Sequence, residues 1–208
     1  MKKLITIAVL LLMVVACKKE NNPLNKIKEA TNKVKEAKQG LENVNEIIKG
    51  AEDLEKNIEK LSELMPVTKE EIKAWMPKEM DDLKRTEYNI GSQMGISTFK
   101  LTFKGDAEKK IKITISDGAG KGSAIIAMFS MMQNIEMDKE NESGYERTQT
   151  LDEQRMLVKY QSSENYEKST LQCLFNERFG IEASAWKMTP DELWEYIKKL
   201  DIDTLVKS

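Results

Sequence analysis

Residues 117–123, Asp-Gly-Ala-Gly-Lys-Gly-Ser, are the stretch of this chain that most resembles a device for holding phosphate: a glycine-rich loop with a lysine, placed between a strand pattern and a helix pattern. The spacing fails that chemistry. A phosphate-binding loop would need glycine where Ile115 stands and serine or threonine where Gly122 stands. Gly118, Gly120 and Gly122 also miss the dinucleotide spacing by one residue. The stretch reads instead as a turn in which Ser123 caps the next helix. The chain has no histidine, which removes serine and cysteine triads and the usual zinc ligand sets. Cys173 alternates with Leu171 and Phe175 on one face of a predicted strand and has no base beside it in sequence, so it is expected to be a buried hydrophobe. Asp81 and Asp82 are predicted to lie adjacent on a helix and diverge, and residues 136–142 read as an acidic loop. No catalytic residue, cofactor site or metal site is assigned. The competing reading is an enzyme working through carboxylates or through Tyr and Lys, brought together by folding.

The remaining chemistry belongs to Cys17. It ends an apolar run, residues 4–15, that follows Lys2 and Lys3 and is interrupted only by Thr6. Twelve residues make roughly 18 Å of helix, well short of the ~30 Å of hydrocarbon that a permanent span must cross. The layout is that of a secretory signal peptide, with residues 1–16 as the leader. Val14-Val15-Ala16-Cys17 resembles the lipobox of bacterial lipoproteins, and the resemblance covers residues 1–22. It implies that the Cys17 sulfur receives a diacylglyceryl group, that the preceding bond is cut, and that the new amino terminus is acylated, commonly with palmitate. Two or three acyl chains, at ~0.8 kcal/mol per buried methylene, anchor a protein far more firmly than one. Lys18 stands where many lipoproteins retained in the inner membrane carry aspartate, so the resemblance implies the outer membrane and leaves both of its sides open.

Loss of Lys2 and Lys3 with the leader moves the net charge from −2 to about −4. Such a chain has no electrostatic footprint for nucleic acid, and no nucleic-acid partner is expected. With Cys17 acylated, no internal disulfide can form.

The elements that follow divide by their periodicity. Residues 17–23 are the lipidated cysteine and a polar tether. From Leu24 to Met65 apolar residues recur with a mean step of about 3.4, which predicts an amphipathic helical arm over residues 24–65, continuous or folded as a hairpin at Gly40 and Gly50. Its apolar stripe needs a cover: its own domain, a second copy, or another envelope protein. The predicted partners are thus the membrane, through the lipid, and whatever covers the arm.

Residues 66–208 read as an α+β domain. Thr68-Lys69-Glu70-Glu71 and Thr189-Pro190-Asp191-Glu192 are capping boxes, with Trp75 and Tyr196 each seven residues after the threonine. Alternation at residues 98–104 and 110–115 predicts a hairpin with one wet face. Further strands are predicted at 145–150, 155–161, 169–175 and 179–186, with an additional candidate at 87–91. A helix at 124–132, apolar on nearly every side, is expected to be buried against the sheet. The expected fold is an antiparallel sheet of six or seven strands with helices packed on one face. The function expected from all this is a lipid-anchored envelope protein of non-catalytic binding or structural role.

Overall fold

The period-two alternation becomes the centre of an antiparallel sheet in the computed structural model, which describes residues 44–93 and 95–206. The chain divides into two compact units, residues 1–52 and residues 53–208. Helix α1 (Val44–Glu63) runs through Gly50 without a break. Within the second unit its stripe is covered at Ile58 and Leu61, whereas Met65, just past its end, is exposed. Helix α2 (Lys69–Trp75) follows Pro66 and has the capping box predicted at Thr68 and Glu71. The strands are β1 (Glu79–Met80), β2 (Leu83–Gln93), β3 (Ile96–Lys104) and β4 (Lys110–Asp117), then, after helix α3 (Ser123–Asn134), β5 (Asp138–Asn141), β6 (Gly144–Leu151), β7 (Gln154–Ser163), β8 (Tyr166–Phe175) and β9 (Phe179–Trp186). Helices α4 (Pro190–Lys198) and α5 (Asp203–Val206) close the chain, α4 with its capping box at Thr189 and Glu192.

The α+β class stands, but the sheet has nine strands in the order β1-β2-β3-β4-β9-β8-β7-β6-β5, not six or seven. The two unforeseen strands, β1 and β5, are the edges. β1 is two residues long, and β5 is Asp-Lys-Glu-Asn with every side chain exposed, so neither carries an apolar alternation to read. Short, charged edges also discourage pairing with other chains. Residues 81–82, predicted as helix, form the β1–β2 turn with Asp81 at φ 51°, and the predicted acidic loop at 136–142 contains β5.

Register partners directly across an antiparallel sheet share a face. Phe99, Ile115, Ile181 and Cys173 are paired in this way or adjacent to such a pair, and with Phe103, Ile111, Ile113, Leu171 and Val158 they form the apolar face. Leu193, Trp194 and Ile197 of α4 and Ile72 of α2 belong to the same core. The aromatic residues of the two capped helices make reciprocal ties: Trp75 Nε1 donates to the Asp201 carbonyl beyond α4, and Tyr196 Oη donates to Asp82 beyond α2.

The expectation that all helices share one face is wrong for α3. Gly180 lies between core-facing Phe179 and Ile181, so its Cα hydrogens face the other side, and a Cβ there would come within 2.3 Å of the Phe129 ring. Helix α3 therefore packs on the opposite, wet face, helped by Gln133 Nε2 donating to the Arg155 carbonyl. Nor is it buried all round. Ile126 and Phe129 face inward, while Met128 and Met131 are 51% and 52% exposed and Ile135 is 46% exposed. None of the described helices is long and apolar enough to cross a membrane.

Candidate ligand-binding face

Residues 117–123 have a structural task. Asp117 is fully buried and receives four hydrogen bonds: from Arg178 Nε at 2.8 Å and Nη2 at 3.0 Å, from the Ala119 amide at 3.0 Å and from the Val67 amide at 2.7 Å. It thereby ties the segment after α1, the loop after β4 and the β8–β9 turn together. The glycines permit this tight path, since a Cβ on Gly122 would lie 2.0 Å from the Asp117 carbonyl oxygen. Ser123 is not the helix cap. It is the first helical residue, the cap position is Gly122, and no side chain bonds there.

Two carboxylates whose acidity is perturbed, Asp82 and Asp152, are also committed to structure. Asp82 is held below the usual carboxylate range chiefly by the Tyr196 hydroxyl, and Asp152 chiefly by the Lys198 ammonium with help from Trp194 Nε1. Both fasten α4 to hairpin turns. Cys173 sits on the core face as predicted, and burial pushes its thiol up to about 12, so it stays protonated and unreactive at neutral pH. Among the described residues no three His, Cys, Asp or Glu side chains are placed to hold a metal ion. Cys17, the leader, the tether and the arm up to residue 43 lie outside the described residues.

What the fold assembles without any local motif is a basic row on the wet face. Register places Lys84 opposite Lys104, Lys104 opposite Lys110, Lys110 opposite Trp186, and Trp186 opposite Lys168. Five strands at ~4.8 Å spacing make this row about 19 Å long. Lys112 joins from one step along β4, so three ammonium groups surround the Trp186 ring, at 5.5 Å (Lys110), 5.8 Å (Lys112) and 5.1 Å (Lys168) from its centre. At the outer end Glu79 is opposite Lys84. The salt bridges of the described residues use Lys56, Lys109, Arg155, Arg178, Lys198 and Lys199, and none uses a lysine of this row.

Like charges directly opposite across a sheet destabilise it, and each cation–ring contact returns ~0.5–1 kcal/mol at an exposed site. The three ring contacts offset the two direct lysine oppositions, and the row's positive charge is left without an ion-pair partner among the described residues. Beside it, between the β3–β4 and β7–β8 turns, lies an open cleft of about 430 Å³ lined by Glu108, Asn165, Tyr166, Glu167 and Lys187 together with Lys110 and Trp186. It combines two aromatic faces, carboxylate and amide acceptors, and ammonium donors.

The chain matches no family model and no curated protein. Among solved structures, the extracellular domain of PknH from Mycobacterium tuberculosis superposes with a TM-score of 0.44, at 9% identity, over 69% of this chain and 99% of that one.

Proposed function

We propose that this chain is a lipid-anchored protein of the cell envelope, held in the outer membrane through Cys17, whose α+β domain has a non-catalytic binding role. The observation that carries the binding role is the lysine row around Trp186, which gathers cations on one face with no ion pair among the described residues and so offers an anionic ligand several partners at once. The most strongly engaged carboxylates support a non-catalytic reading, because Asp117, Asp82 and Asp152 are each consumed in holding elements together. Support for the anchor comes from Val14-Val15-Ala16-Cys17 after a short apolar run.

Replacement Cys17→Ser is expected to leave an unlipidated precursor that keeps residues 1–16. The mature wild-type protein should have an intact mass corresponding to an amino-terminal Cys17 with its acyl chains. A soluble product that begins at another residue and carries no acyl group would overturn the anchor.

A further inference from the structure

We infer that the Trp186 face binds a linear, hydroxyl-rich acidic polymer, an acidic polysaccharide, laid along the lysine row with sugar rings against Trp186 and Tyr166. The inference rests on the binding role proposed above and names its ligand class.

Three requirements are met together on this face. Anionic groups need cations, and Lys84, Lys104, Lys110 and Lys168 stand in line over about 19 Å with Lys112 alongside. Hydroxyl groups need acceptors as well as donors, and Glu108 and Asn165 line the adjoining cleft. Apolar ring faces need flat surfaces, and Trp186 and Tyr166 line the same cleft, Tyr166 being exposed.

The same features disfavour other polyanions. A bilayer surface is planar, but α3 lies on this face at the Gly180 end of β9 and stands about 10 Å above the sheet. That end is six residues, roughly 20 Å, from Trp186, and a single chain can pass where a plane is held off. Binders of single-stranded nucleic acid use successive aromatic platforms along a positive groove, whereas the lysine row carries one ring, Trp186.

The test uses the whole chain from residue 17 with Cys17→Ser, so that no acyl group contributes. Titrated by calorimetry with polygalacturonate, it should bind, and binding should weaken as salt is raised. Dextran, of similar shape without charge, should not bind. Lys110→Gln and Lys168→Gln together, or Trp186→Ala, should weaken binding by about tenfold or more. Lys73→Gln on α2 should change it less than twofold. The double glutamine variant removes one lysine opposition and two ring contacts, which nearly cancel, so it should melt within about 5 °C of the parent, which separates lost binding from lost fold. Failure to bind polygalacturonate, or equal binding by the variants, would overturn the inference. If vesicles of anionic phospholipid or an oligothymidylate bind more tightly through the same lysines, the ligand class is wrong and the binding face stands. If no polyanion binds through the row, both fail.

Discussion

Replacing Asp117 with alanine should destabilise the domain by about 3–5 kcal/mol, the usual cost of removing one partner from a buried ion pair. Asp117 has no exposed surface and the Arg178 side chain is 13% exposed, so the guanidinium left behind would keep little access to water. The amides of Val67 and Ala119 would lose their acceptor at the same time. For a unit of this size such a loss lowers the melting temperature by roughly 10 °C. Arg178→Met should cost a comparable amount, because it strands the carboxylate instead. Thermal unfolding followed by circular dichroism measures both, and a cost below about 1 kcal/mol for either would mean that the three segments are held together by other contacts.

Phe99→Ala should be of similar size, about 3–5 kcal/mol, for a different reason. Phe99 is fully buried in the middle of β3, opposite Ile115, and the ring of Trp75 meets it edge-on at 5.6 Å between centres and 76° between planes. Truncation removes apolar surface from the core, leaves a cavity under α2, and forfeits an aromatic pair worth ~0.5–1.5 kcal/mol beyond its area. Urea unfolding should show a lower midpoint with an unchanged slope. Met128→Ala on the exposed side of α3 is the contrast and should stay within about 0.5 kcal/mol of wild type.

These two sites mark what sequence can and cannot give. Phe99 was legible because Phe99, Leu101 and Phe103 alternate with polar residues, and alternation is a local property. The capping boxes were legible for the same reason, since Thr68 with Glu71 and Thr189 with Glu192 close hydrogen bonds within four residues. Asp117 was visible only as part of a glycine-rich loop, because its partner Arg178 is 61 residues away. The lysine row was less accessible still: Lys84, Lys104, Lys110, Lys168 and Trp186 meet only through the register of five strands. One signal was available. The alternate lysines around the β3–β4 turn, at 100, 104, 110 and 112, already announced a basic wet face. The side taken by α3 had a weaker clue in Gly180, since a glycine inside a strand often marks a close approach by another element.

The central claim is that the lysine face is engaged in the envelope, and lysine acetylation read by mass spectrometry tests it most directly. Cells and purified protein would be treated with the same membrane-permeant acetylating reagent and the extent of modification compared at each lysine. The account predicts that Lys110, Lys112 and Lys168 are modified more slowly in cells than in the purified protein, while exposed Lys73 and Lys78 near the opposite face react equally in both. Equal reactivity of all five lysines in the two settings would contradict it.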